Sequence, residues 1–156
     1  MMWGEQSSLR IYMLLERKSL LKYIFIPFLA WVFSGCLKFC INYFCFGSKA
    51  KELIGYGGFP STHTTIVASV VFSVGLSEGF KTPVFSLGLG LLLVLIIDAH
   101  GLRRNVGKQS MIINQLTEQG KKSHGIILRE RMGHTWLEIG GGLVIGFIVA
   151  VLMNML

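Results

Sequence analysis

The chain has 156 residues, 52% of them apolar, with a formal charge of +7 and a mean hydropathy of +0.60. That length fits one domain. Apolar residues clumped into runs, with the charges outside them, exclude an ordinary soluble globule and point to a multi-pass membrane protein. The basic excess sits beside those runs, so anionic headgroups or anionic substrates, not nucleic acid, are the expected partners.

Residues 1–22 are mixed, with Arg10, Arg17, Lys18 and Lys22 ahead of the first apolar run. Phe33-Ser34-Gly35-Cys36 loosely suggests a lipoprotein cleavage site, but the apolar run continues to Phe46 and suits an uncleaved span. Lys38 and Asn42 interrupt that run four residues apart, so both can face a bundle interior or a polar cavity. Cys36, Cys40 and Cys45 lack the spacing with histidine of a zinc site and read as small apolar side chains.

Gly57-Gly58-Phe59-Pro60-Ser61-Thr62-His63-Thr64-Thr65 follows, a turn carrying hydroxyls and an imidazole at the mouth of an apolar, helix-like run. A helix start favours anions, because its first N–H groups lack partners within the helix and its dipole end is positive. In the run itself Ser69, Ser73 and Ser77 form a small-residue stripe of the kind that lets membrane helices approach closely. Ser77 to Pro83 reads as a turn. The third run, Val84 to Ile97, is nearly pure Leu, Val, Ile and Phe, and the last carries Gly142 and Gly146 four apart.

The sequence thus predicts an all-α membrane protein, a small bundle of about four transmembrane helices. One membrane domain covers residues 1–156, with spans at 23–46, 64–80, 84–99 and 139–156 and a polar loop at 100–138. Within the loop, Gln109 to Leu116 fits a short amphipathic helix before the last span. With four spans, the Gly57–Thr65 turn and the polar loop lie on one side of the membrane.

Arg103, Arg104 and Lys108 directly after the third span suit an oxyanion, with Asp98 as an arginine partner; juxtamembrane cations that fix topology are the plainer alternative. His134 and Glu138 are four apart. A carboxylate on one imidazole nitrogen would leave the other free as nucleophile or base. Thr135-Trp-Leu-Glu138 equally matches a helix capping box, and the two readings compete for one carboxylate. His100 and His124 lack such company and read as loop histidines.

Together these blocks resemble the divergent branch of the PAP2 superfamily, the acid-phosphatase and haloperoxidase-related membrane proteins. The resemblance covers about Gly57 to Gly146 and rests on Gly57–His63, Val74–Gly79, Asp98–Arg104, Gly107–Gln109, Asn114–Leu116 and Leu128–Thr135 with Glu138. It implies a metal-independent lipid phosphatase without cofactor, the alternative being a catalytically inactive relative that binds an anionic lipid headgroup or a partner protein. His134, oriented by Glu138, would be the nucleophile and His63 the acid. Ser61, Arg103, Arg104 and Lys108 would hold phosphate, with Asp98 and Gln109 behind them. The superfamily's first motif, a lysine and an arginine before a proline, is not recognisable, and Lys49 or Lys51 stands in for its lysine. The arginine and histidine lie roughly thirty residues apart instead of a few, and the acid is Glu instead of Asp.

The expected partners are a lipid phosphate and the bilayer, with a homo-oligomer left open. The positive-inside rule puts the site on the cytoplasmic side of a bacterial inner membrane or a plastid membrane.

Overall fold

The computed structural model describes residues 2–47, 58–119 and 127–155. All regular structure among them is helical: α1 (Met2–Phe46), α2 (Thr62–Glu78), α3 (Pro83–Ile97), α4 (Arg103–Gln119) and α5 (Trp136–Met155). Lys22–Cys45, Pro83–Thr117 and Trp136–Met155 are long and apolar enough to cross a bilayer. α2 has 17 residues, about 26 Å of helix at 1.5 Å per residue, against an apolar slab of about 30 Å.

Two expectations shift. The mixed segment, from Met2 to Lys22, belongs to the same helix as the first apolar run. The third run does not stop at its polar end. It passes through a π-helical turn at Asp98–Leu102 directly into α4. The predicted amphipathic helix is therefore longer than Gln109–Leu116. It exposes Met111, Ile112, Ile113 and Leu116 and buries Ser110 and Asn114.

α2 is the centre of the bundle, packed by α1, α3 and α5. Its serine stripe is buried at Ser69 and Ser73. α5 lies on that side because Gly142 and Gly146 carry no side chain. A Cβ at Gly146 would stand 2.7 Å from Ala68 Cβ and 2.9 Å from the Thr65 carbonyl oxygen. One at Gly142 would stand 2.8 Å from the Ser61 carbonyl oxygen. Ala30, Ile145 and Val149 fill the α1–α5 contact, and Ala68, Val71 and Leu92 the α2–α3 contact. Most other large apolar side chains, such as Phe28, Leu87, Val94 and Ile148, point outward, as a lipid-facing surface requires.

The helix directions follow from the polar contacts at one end. Lys22 Nζ donates to Asn154 Oδ1 at 3.0 Å, Asn154 Nδ2 to Ser73 Oγ at 2.9 Å, and Tyr23 OH to Glu78 Oε1 at 3.5 Å. The beginning of the α1 span and the ends of α2 and α5 thus share one end of the bundle. The end of α1, the head of α2, the end of α3 and the head of α5 share the other.

Gly146→Leu is expected to destabilise the protein by about 1–3 kcal/mol through overpacking, read as a lower melting temperature in detergent. Gly140→Ala serves as the control, since a Cβ there meets nothing within 4 Å. It should hold or raise that temperature, because alanine is the better helix former.

Candidate active site

The site is assembled at the head of α5. Thr135 and Glu138 form the reciprocal cap that their spacing predicts. The Thr135 N–H donates to Glu138 Oε2 at 3.0 Å, and the Glu138 N–H to Thr135 Oγ1 at 3.3 Å. The same Oε2 lies 2.9 Å from His134 Nδ1. The two readings of Glu138 therefore do not compete, because one carboxylate oxygen accepts from both the cap amide and the imidazole. A carboxylate only accepts, so Nδ1 carries the proton, and the neutral ring keeps its lone pair on Nε2.

The backbone of His134 is held from both sides. Its N–H donates to the Ala99 carbonyl at 3.0 Å, and its carbonyl lies 3.2 Å from His100 Nδ1. Both partners sit in the π-helical turn. His100 also packs on Trp136, with ring centroids 4.3 Å apart. It is thus no loop histidine in solvent. Gly133 permits the close approach: its φ is +82°, and a Cβ would fall 2.9 Å from the Arg104 amide nitrogen. Upstream, Asn114 pairs with the backbone of Leu128 through both amide atoms, at 2.8 and 2.9 Å. The segment 127–135 is thereby laid along α4, and it carries Arg129 to the site.

A cavity of about 580 Å³ opens there, lined by Trp31, Val32, Gly35, Cys36, Lys38, Phe39 and Asn42 of α1. Thr62 and His63 line it from the head of α2, and Arg103, Arg129, Met132, Gly133 and His134 complete it. Among the described residues three cations and two histidines face this space, and no carboxylate is in its lining. Arg103 is held by Asp98, Nε to Oδ2 at 2.8 Å. The first N–H groups of α2 have no partner in the helix, which adds to the preference for an anion. Among the described residues no three His, Cys, Asp or Glu side chains gather as metal ligands would.

Not every predicted residue reaches the cavity. Ser61 is fully buried, with its hydroxyl 2.8 Å from that of Thr64. Its N–H donates to the Glu138 carbonyl at 2.9 Å, tying the head of α2 to the head of α5. Arg104, Lys108 and Gln109 are exposed along α4 and outside the lining. Lys49 and Lys51 lie outside the described residues, as do Gly57 and His124.

Conversely, Lys38, Arg129 and Thr62 line the cavity without having been counted as ligands. Lys38 carried a signal, a cation inside an apolar run with Asn42 one turn on. Arg129 carried none, because a loop arginine has no periodicity to say where it points.

Burial pushes His134 below the ordinary histidine value of 6.5; the Glu138 hydrogen bond and charge oppose this, while Lys38 and Arg103 add to the fall. Burial also lowers His63, which stands at the head of α2 outside the three long spans. Arg103, His134 and Lys38 add to that shift, and Asp98 opposes it.

These features define an integral-membrane helical bundle with a cation-lined, histidine-bearing cavity at one end. The chain belongs to the divergent PAP2 family, whose model matches residues 21–149. It is 25% identical over 111 residues to the uncharacterized membrane protein YuiD of Bacillus subtilis (strain 168), covering 62% of this chain and 70% of that one. No solved structure gave a significant match.

Glu138→Gln is expected to lower the His134 pKa further, because the carboxylate is the group that raises it. Proton NMR titration of the imidazole C–H signals checks this, and an unchanged or higher value would count against the His134–Glu138 pairing.

Proposed function

We propose that the protein is an integral-membrane phosphatase that hydrolyses a lipid phosphate monoester or diphosphate through a phosphohistidine at His134. One observation carries the reading. His134, with its Nδ1 bonded to Glu138, shares a cavity with His63, Lys38, Arg103 and Arg129. This is a nucleophile with its tautomer fixed, a second imidazole for proton transfer, and cations for the phosphoryl oxygens.

In the first step the Nε2 lone pair of His134 forms a bond to phosphorus as the bond to the leaving oxygen breaks. That oxygen takes the proton of His63. In the second step water attacks the phosphohistidine. Its proton goes to His63, and the P–N bond breaks. Lys38 takes the part that the sequence offered to Lys49 or Lys51. Arg103, oriented by Asp98, and Arg129 balance charge on the oxygens, which is the main demand of phosphoryl transfer. By the positive-inside rule the site end, with Arg103, Arg104, Lys108, Arg129 and Arg131, faces the cytoplasm.

Ser61 supports a second reading. Its hydroxyl is turned inward to Thr64 and is outside the cavity lining, so the cavity offers an anionic headgroup fewer donors than turnover asks for. In that reading the protein binds an anionic lipid and does no chemistry.

Phosphate release from a panel of lipid phosphates by the purified protein separates the two. The hydrolase reading expects His134→Ala to fall to background and His63→Ala to lose about 100- to 10,000-fold. Release that survives His134→Ala excludes that nucleophile. No release from any lipid, with binding retained, supports the binder.

The pH profile follows from the two shifts. Turnover needs His134 neutral and His63 protonated, and both groups titrate below 6.5. The optimum of kcat/KM should therefore lie on the acid side of that value, with activity lost as His63 deprotonates above it and as His134 protonates below it. A flat profile between pH 5 and 8, about the range in which histidine normally titrates, would contradict the assignment.

A further inference from the structure

Leu102, Val106, Gln109, Ile113 and Leu116 follow one another at spacings of four, three, four and three, and all five are exposed. This is the spacing of a coiled-coil seam, in which a second helix covers residues that repeat every 3.5 positions. Val106 and Ile113 fall on one set of alternate positions, Leu102 and Leu116 on the other. β-Branched residues in the first set with leucine in the second favour a parallel pair of helices. Gln109 is the one polar residue in the line, and a lone polar seam residue sets register at a cost in stability.

The line continues into the membrane. Val84, Leu87, Leu91 and Val94 of α3 alternate at three and four in the same way and are exposed. Val94 and Leu102 are eight residues apart, one more than a heptad. The π-helical turn at Asp98–Leu102 lies between them and takes up the extra residue, because its hydrogen bonds close over five residues instead of four. The stripes of α3 and α4 therefore fall on one side of the rod. α3 packs chiefly on α2, and the segment 127–135 takes the face of α4 that holds Gly107 and Asn114. Neither covers this side.

Lipid can cover the α3 half of the line but not the far end of α4. From Pro83 to Gln119 the rod is about 55 Å long at 1.5 Å per residue, against an apolar slab of about 30 Å. A tilt of about 40°, the upper end for membrane helices, shortens its rise only to about 42 Å. Charge does not oppose a like partner. Arg104 and Lys108 stand off the line, and its flanks on α4 include Asn105, Ser110, Ile112 and Thr117. Arg103 also flanks it, but is bonded to Asp98 within its own copy.

We propose that the protein is a homodimer in the membrane, two copies joined along this side of α3 and α4 as a parallel pair. Copies inserted in the same direction present parallel rods, the arrangement that the seam residues favour. Eight apolar seam side chains per copy, each with about 60–120 Å² to bury, remove about 1,000–2,000 Å² in all, the size of a stable interface. No seam residue lines the cavity, so each copy keeps its own site, and the dimer does not depend on turnover.

Cross-linking tests this on the full chain with Cys36→Ser, Cys40→Ser and Cys45→Ser, reconstituted alone in phosphatidylcholine vesicles and oxidised with copper phenanthroline. Val106→Cys and Ile113→Cys should each form a disulfide between copies at least about tenfold faster than Gln115→Cys, which stands off the line. Only residues that face their own counterparts come within the Cα separation of about 4.4–6.8 Å that a disulfide needs. Equal rates at all three positions would mean chance collision. No cross-link at 106 or 113 would mean a monomer, or a seam kept for a different protein. Either result overturns the dimer. Energy transfer between copies labelled at the N-terminus, followed at falling protein-to-lipid ratios, gives the dissociation constant. Ile113→Asp should raise it by at least about tenfold, since each seam would then bury an unpartnered carboxylate, and Gln109→Leu should lower it. Association unchanged by Ile113→Asp would overturn the seam.

Discussion

The close approach of α2 and α5 is the contact on which the rest depends. Helices in lipid gain nothing from leaving water, so they associate through fit. Here the fit comes from two glycines set against backbone. With Gly142 against the Ser61 carbonyl and Gly146 against that of Thr65, the helix heads come level, and Ser61 can donate to Glu138. Two segments far apart in the chain then present His63 and His134 to one space. The same contact turns the Ser61 hydroxyl inward to Thr64. The packing that builds the site withdraws from it the serine that the motif had offered.

Glu138 shows how little sequence such a site needs. A helix head requires an acceptor for its first amides, and a buried imidazole protonated at Nδ1 requires an acceptor for that proton. At the start of α5 a single oxygen meets both demands. The helix cannot be well capped without also orienting the histidine. Burial still holds the His134 pKa below its ordinary value, and the carboxylate opposes that fall.

Much of the fold was legible because hydropathy and small-residue spacing are local. The apolar runs marked α2, α3, α5 and the end of α1 to within a few residues, while α1 begins about twenty residues ahead of its apolar run. The serine stripe and the Gly142–Gly146 pair marked the faces that meet, and span parity implied that the heads of α2 and α5 share an end. The site was legible where a motif carried a backbone role, as at Thr135–Glu138. It was less legible wherever direction mattered. Arg103 and Arg104 are adjacent and chemically equal, yet only Arg103 turns to the cavity. No periodicity rule could choose between them, because the helix changes phase just before them. His100 looked solitary because its partners, the carbonyl of His134 and the ring of Trp136, are remote in sequence.

That change of phase is the turn at Asp98–Leu102. A π-helical turn adds a residue to a helix without ending it, and one residue is about 100° of rotation. From Pro83 to Gln119 the chain is therefore a single rod with two faces of different allegiance. Its first part is apolar and largely exposed, and its second part buries Ser110 and Asn114 beneath the returning segment. The turn itself holds the backbone of residue 134. Anchor and scaffold are thus one mechanical piece: the tilt of α3 in its surroundings and the positions of Arg103 and His134 form a single coordinate, which the molecule cannot adjust in parts.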